Sequence, residues 1–389
     1  MTRRLNKKMN TRLEFSDEQT MVLESAKSFC RDNSNIEQVR ALLYSSNATA
    51  HIGFDRALWQ ASVDLGWQGL GIPESYGGSD IGISSAVAIA EAMGRYMLST
   101  PFHSCTLAAQ MVLRGGTEQQ KREWLPRIAA GAIVTTAILD DEDWGAPQFT
   151  CTASPQADQW VLSGSKMLVC DATAAEAFIV AFQTPEGQPL LAIVIADELD
   201  ENAIQPHNLL DETKRAALVD FTGVSLKTEA ILDPTKTQSC LRDTMLIGAM
   251  LTAAEAVGTT AASLDITVEY MKTRKQFGKL IGSNQALKHP AVEILCNMDL
   301  AKSLVYHAAT LVGSETLNQD AEIGCRMAKV KSTDALLFAG DRGVQFHGAM
   351  GFTYECNTQL YIRRAQWSQQ QYGDSGFHRK RLAGLLLDS

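Results

Sequence analysis

The spacing of apolar residues changes twice along this chain. From about residue 16 to 130 apolar side chains recur three and four apart, as in "MVLESAKSFC", "AVAIAEAMGRYM" and "TEQQKREWLPRIAAG", the repeat of helices that bury one face. From about 131 to 235 it gives way to short β-branched runs, "AIVTTAIL", "QWVLSGSKMLV", "AFIVAFQT", "LLAIVIA" and "AALVDFTGV". Gly, Pro, Asp and Asn punctuate these runs, which is strand patterning. The helical repeat returns from about 240. Blocks of helix, strand and helix specify an α+β fold: an N-terminal helical domain over 16–130, a middle β-domain over 131–235 and a helical bundle over 236–389. Residues 1–15 read as a disordered basic tail with Met9 an alternative start, and Ser16 with Gln19 suggests a capping box.

A chain of 389 residues exceeds one ordinary core, and 45% hydrophobic with 20% charged residues is a globular composition. No apolar run reaches membrane-spanning length and no signal-peptide pattern is present, so a soluble, cytoplasmic protein with no membrane contact is expected. A net charge of −9 argues against nucleic acid as a general partner. The eight cysteines lack metal-ligand spacing and read as free thiols in a reducing compartment, with no metal site.

Two glycine-rich segments concentrate the candidate chemistry. "TRKQFGKLIGSNQALKH" (273–289) follows a long helical pattern and offers Arg274 at its end. A cation there offsets the helix dipole, and Gly278 can terminate the helix, so a capping role needs no ligand. "QFHGAMGFTYE" (345–355) again pairs glycines with aromatics. Small residues admit a bulky ligand close to the backbone, whose N–H groups can meet a pyrophosphate while Arg274 supplies opposing charge. Two such segments suggest one extended dinucleotide, outside a Rossmann context because no G-x-G-x-x-G opens a βαβ unit.

"LGWQGLGIPESYGGSDIG", "WVLSGSKMLV", "VEYMKTRKQFGKLIGSNQALKH" and "QFHGAMGFTYECNTQLYIRRA", in this order, resemble the acyl-CoA dehydrogenase family of flavoproteins over nearly the whole chain. The resemblance implies a β-barrel-like middle domain, a C-terminal four-helix bundle, and a homo- or hetero-tetramer holding FAD between subunits. Arg274 and Gln285 would contact the FAD phosphates and adenosine with Phe277 nearby. Gln345, Gly348 and Gly351 would approach the ADP portion of a neighbour's FAD, and Leu168 and Cys170 would face the flavin. It implies α,β-dehydrogenation of an acyl-CoA to the trans-2-enoyl-CoA: a carboxylate removes the α proton, hydride leaves the β-carbon, and electrons pass to an electron-transfer flavoprotein.

The sequence departs from the family where the base is expected. Tyr372 stands at the usual carboxylate position, and Gly248 at the alternative one on the long helix. Glu255, seven residues beyond Gly248 on nearly the same face of an apolar helix, is the candidate base, because burial would raise its pKa; a helix-surface position or a buried structural ion pair is its alternative role. Asp374 is the second candidate, with turn formation as its alternative role; His347 and His378 are weaker ones, and His347, inside the glycine cluster, is expected to make a structural or cofactor hydrogen bond. The run Asp140, Asp141, Glu142 and Asp143 is an unusual lining for a CoA site. "AAEAVG" and "GDSGFHRKRLA" resemble the branch containing the small subunit of pimeloyl-CoA dehydrogenase and heteromeric steroid side-chain dehydrogenases. That similarity implies a bulky, dicarboxylic or steroid-derived acyl group, and an alternative role as a catalytically incomplete subunit that completes a partner's FAD site. A flavin oxidase or monooxygenase on the same fold is a further reading.

Overall fold

The structure, a computed structural model, describes residues 17–43, 53–141, 143–144, 149–156 and 159–387. The expected tail, the Ser16 cap and Glu142 lie outside them. Helices α1 (Asp17–Asn33), α2 (Ile36–Leu43), α3 (Arg56–Asp64), α4 (Ser84–Tyr96), α5 (Phe102–Gly115) and α6 (Glu118–Ala129) form the N-terminal layer. A capping box starts α6: the Thr117 hydroxyl accepts from Gln120 N–H at 3.2 Å, and the Gln120 side chain accepts from Thr117 N–H at 2.9 Å.

The middle third is sheet. Strands β1 (Val134–Ala137), β2 (Thr152–Gln156), β3 (Gln159–Ser163), β5 (Ala177–Gln183), β6 (Pro189–Ile195) and β9 (Ser225–Lys227) form a six-stranded sheet in the order β1-β5-β2-β3-β9, with β6 also paired to β5. Strands β4 (Ser165–Cys170), β7 (Ile204–Pro206) and β8 (Ala216–Asp220) form a three-stranded one, ordered β4-β8-β7. The unbroken apolar run of β5 has a physical reason. Phe178, Val180 and Phe182 enter the core of the β-domain, while Ala177, Ile179 and Ala181 enter the helical core behind it. Period-2 alternation thus makes one strand the seam between two cores.

The C-terminal bundle is α7 (Thr237–Thr273), α8 (Gln285–Leu311), α9 (Gln319–His347) and α10 (Thr358–Gln370), followed by α11 (Ser375–Leu387). α7 has 37 residues, about 55 Å of helix. By length and composition it could cross a membrane, contrary to expectation, but most of its apolar stretch is buried inside the fold. It is the axis on which the other layers pack.

Two glycines let α4 and α7 meet backbone to backbone. A Cβ on Gly94 would sit 2.0 Å from the Glu255 carbonyl oxygen, and one on Gly258 would sit 1.9 Å from that of Glu91. Gly258→Ala is therefore expected to destabilise by at least ~1–3 kcal/mol, read as a lowered denaturation midpoint. An unchanged midpoint would show that the helices can move apart without cost.

Candidate active site

Glu255 is 2% exposed on α7. Lys214, from the β7–β8 connection, donates to both of its carboxylate oxygens at 2.7 and 2.9 Å. Arg364 of α10, fully buried, donates to Glu255, to the Thr213 hydroxyl and, through Nε at 2.5 Å, to Asp211. Asp211 in turn accepts the Thr213 N–H at 3.1 Å and its hydroxyl at 2.5 Å. His103 Nδ1 lies 3.5 Å from Glu255. Burial alone would raise the Glu255 pKa, but Lys214, Arg364 and His103 outweigh it and hold the carboxyl down at about 2. The upward shift expected of a base is thereby corrected, and the alternative role, a buried ion pair, is the one observed, with its cations brought from two other elements. A carboxylate stabilised so strongly in its ionised form is a poor proton acceptor.

Tyr372 and Gly248, the two positions at which a base was sought, are in contact. A Cβ on Gly248 would lie 2.6 Å from the Tyr372 ring, so the tyrosine fills the space that a side chain at 248 would need. Tyr372 adopts a left-handed backbone (φ 58°) and packs its ring on Trp144, centroids 4.7 Å apart. Burial pushes its hydroxyl pKa well up, so it is no neutral-pH base.

Tyr372 lines two cavities. The larger, about 630 Å³, is lined among others by Ile138, Trp144, Leu241, Met245 and Phe377, with Arg242, Arg326, Arg381 and the carboxylate of Glu322. Glu322 accepts from Arg326 at 2.9 and 2.7 Å. The smaller, about 50 Å³, is bounded among others by His103, Ser104, Cys170, Asp171, Lys214, Gly248 and Glu255. Asp171, which the sequence did not single out, follows Cys170 directly, and its carboxyl is pushed up by burial and takes the Ser104 hydroxyl at 2.5 Å.

Asp374 lines neither cavity. It is exposed and accepts the Phe377 N–H at 2.7 Å at the start of α11, so its turn-forming role is the one observed. His378 is buried and accepts from Arg326 at Nδ1, 3.2 Å away; burial, with Lys329 and Arg326, lowers its pKa to about 3. Of the acidic run, Asp141 and Asp143 are exposed, and Asp140 is turned inward. Asp140 is buried against Lys166 at 2.6 Å and also accepts the Thr150 N–H at 2.6 Å.

The glycine-rich segments meet at one end of the bundle. α7 stops at Thr273, and Lys275–Gln276 pairs with Lys279–Leu280 in a two-residue hairpin. Phe277 and Gly278 both have positive φ, as a type I′ turn requires, so Gly278 is a hairpin residue and not the helix terminator considered above. Phe277 at the tip is fully exposed. One turn before Arg274, the Tyr270 ring stacks on His347, centroids 4.1 Å apart, and His347 Nδ1 donates to the Gly343 carbonyl at 2.7 Å. Arg274, Gln285, Gln345 and Gly348 are exposed. Gly348 (φ 62°, ψ −142°) ends α9 in a conformation open to glycine alone, and a Cβ on Gly351 would lie 2.4 Å from the Val344 carbonyl oxygen. An exposed guanidinium, two amides and a bare backbone turn fit the diphosphate and adenosine of a dinucleotide. Leu168 sits in a bulge of β4 with positive φ, and Cys170 beside it has its thiol pushed up to about 12 by burial.

The titrations set a pH dependence. Glu255, held at about 2 against an ordinary 4.5, contributes stability above pH 4.5 that is lost as pH falls toward 2. His103 and His378, lowered to about 4 and about 3 from 6.5, resist protonation in the fold, so acid below pH 6.5 favours unfolding. Both act in one direction, and denaturant midpoints should fall steadily from pH 6.5 to 3. Glu255→Gln, which strands Arg364 and Lys214, should cost ~3–5 kcal/mol at pH 7 and flatten the lower part of that profile. A pH-independent midpoint would contradict this assignment.

The acyl-CoA dehydrogenase N-terminal domain matches residues 16–132, and the acyl-CoA dehydrogenase C-terminal domain matches residues 240–387. The acyl-CoA dehydrogenase IpdE2 of Mycolicibacterium smegmatis is 28% identical over 359 residues, 92% of this chain and 95% of that protein. FadE12, an acyl-CoA dehydrogenase of Mycobacterium tuberculosis, is 29% identical over 327 residues, 79% of this chain and 82% of that protein. A variant of the Tcur3481–Tcur3483 steroid ACAD superposes with a TM-score of 0.81 at 25% identity, covering 95% of this chain and 98% of that one. The ChsE4–ChsE5 complex from Mycobacterium tuberculosis shares the fold, with a TM-score of 0.84 at 20% identity over 97% and 99% of the two chains. The two domain matches together span well over half of the 389 residues, and the chain belongs to the acyl-CoA dehydrogenase family of oxidoreductases.

Proposed function

We propose that this chain works in the FAD-dependent α,β-dehydrogenation of an acyl-CoA as one member of an unlike pair, with the partner supplying the carboxylate that takes the α proton. The observation that carries this reading is the contact of Tyr372 with Gly248, which fills both base positions with groups that cannot accept a proton near neutral pH. Among the described residues lining the larger cavity the one carboxylate is Glu322, and it is tied to Arg326.

Arg274 and Gln285 are the residues that would hold the phosphates and adenosine of FAD, with Phe277 beside them and Leu168 and Cys170 toward the ring, and Gln345 and the Gly348–Gly351 turn would approach the ADP portion of a neighbouring subunit's FAD. Bound FAD supplies the two-electron acceptor, and transfer onward to an electron-transfer flavoprotein follows the family resemblance. Exposed Phe277 and Phe352, and Val292, Leu295 and Leu300 along α8, support burial against another subunit in a tetramer. Eight free thiols support a reducing, cytoplasmic setting. A bulky, steroid-derived acyl group is supported by the name of the 25% identical structure and by the size of the larger cavity. A self-sufficient enzyme is the second reading, favoured by Asp171, whose carboxyl burial raises beside Tyr372.

The chain purified alone and mixed anaerobically with steroidal and aliphatic acyl-CoAs should show any bound flavin staying oxidised. Co-expression with an acyl-CoA dehydrogenase chain that carries the base should produce bleaching. Bleaching by the chain alone would overturn the unlike-pair reading, and its loss in Asp171→Asn would then assign the base.

A further inference from the structure

Tyr372 reaches the space at Gly248 from a strained turn. The chain leaves α10 at Gln370 and enters α11 at Ser375, and in the link between them Tyr372 (φ 58°) and Gly373 (φ 99°) are consecutive left-handed residues. A bulky side chain rarely adopts that backbone, and it persists only where surrounding contacts over-determine it. Position 373 admits glycine alone, because a Cβ there would lie 2.5 Å from the Phe377 ring.

The contacts that hold this turn come from α9. Lys329 has no exposed surface, and its amine donates to the Gln369 carbonyl at 3.1 Å and to the Gly373 carbonyl at 3.0 Å. The two acceptors flank Tyr372: one belongs to the last turn of α10, whose carbonyls have no partner within the helix, and the other follows the tyrosine directly. Burial lowers the Lys329 pKa to about 7 against the pull of Asp374 and Asp334. The amine can make both bonds with or without its third proton. Further along α9, Asp334 accepts the Ser375 hydroxyl at 2.7 Å and the Arg379 guanidinium at 2.5 Å, which ties down the far side of the same link. Lys329 lines neither cavity, yet the turn it holds contributes Tyr372 to both and the buried Gln371 to the smaller.

We infer that Lys329 is a positioning residue for the candidate site: by drawing the Gln369 and Gly373 carbonyls together it holds the Tyr372 ring in the space at Gly248. Resting on the reading that this chain lacks the base, Lys329 is then the residue that keeps that position filled, from outside both cavities.

A double-mutant cycle on the full chain, read as the apparent unfolding constant in denaturant, tests this. Gly248→Ala alone should raise that constant by about tenfold or more, because its Cβ meets the Tyr372 ring at 2.6 Å. In Lys329→Met, which keeps a long buried side chain but donates nothing, the ring can yield, and the same substitution should cost about fivefold less. Thr117→Ala, which removes the cap of α6, weakens the fold elsewhere and should be additive with Gly248→Ala. Trp144 packs on Tyr372, so its emission, isolated by difference from Trp144→Phe, should change in Lys329→Met toward that of Tyr372→Leu and keep its parental value in Thr117→Ala. Should Lys329→Met not fold, Lys329→Arg takes its place, with the same sign expected in both readouts. Additivity of the Lys329 and Gly248 substitutions, or parental Trp144 emission in the Lys329 variant, would overturn the assignment. Neither readout involves flavin, so a failure of the unlike-pair reading is seen separately, as bleaching of the chain alone by an acyl-CoA.

Discussion

The buried charge cluster around Glu255 is the constraint on which the rest of the structure depends. Two carboxylates, Glu255 and Asp211, face two cations, Arg364 and Lys214, with Arg364 sealed from solvent. Isolated, any of these charges would be intolerable in such a place; together they are tolerable because each carboxylate has a cation and a hydrogen-bond set. The cluster joins α7 to α10 and to the connection between β7 and β8, so it fixes the β-domain against the bundle. The position of Glu255 is set further by Gly94, whose missing side chain lets α4 lie directly on the Glu255 carbonyl.

That geometry divides structure from chemistry on a single helix. On one turn of α7 a carboxylate is consumed by cations that hold it ionised. Two turns earlier, Gly248 leaves room that the Tyr372 ring takes up. Tyr372 then lines both the larger cavity, with its three guanidinium groups, and the smaller chamber beside Glu255. The arrangement leaves guanidinium groups in the walls of the larger cavity and no proton acceptor at either position where one was sought, which is the ground of the unlike-pair proposal.

The fold was legible in the sequence where a local pattern suffices. The change of period marked the sheet domain, and the unbroken run "AFIVAF" is a strand with a core on each side. The glycine-rich segments could be read as candidate ligand-facing turns, but their form could not be read. A type I′ turn commonly carries Asn before Gly, and with Phe277 in that place the hairpin passed for a capped helix end. A buried ion pair could be named as an alternative role of Glu255 but its partners could not, because Lys214 is 41 residues away and Arg364 is 109 residues away. Asp171 gave no signal beyond its place next to Cys170. The contact between Tyr372 and Gly248 had its two ends identified separately, and only the tertiary fold shows them to be one feature.

The most direct test of this account is the protonation state of Glu255. Carboxyl carbon NMR of the glutamate-labelled chain, with the Glu255 signal assigned by comparison with Glu255→Gln, should show it ionised throughout the neutral range and titrating toward about pH 2. A Glu255 carboxyl that takes up its proton near neutral pH would mean that Lys214 and Arg364 do not hold it as described. Glu255 would then stand again as a general base in a self-sufficient enzyme.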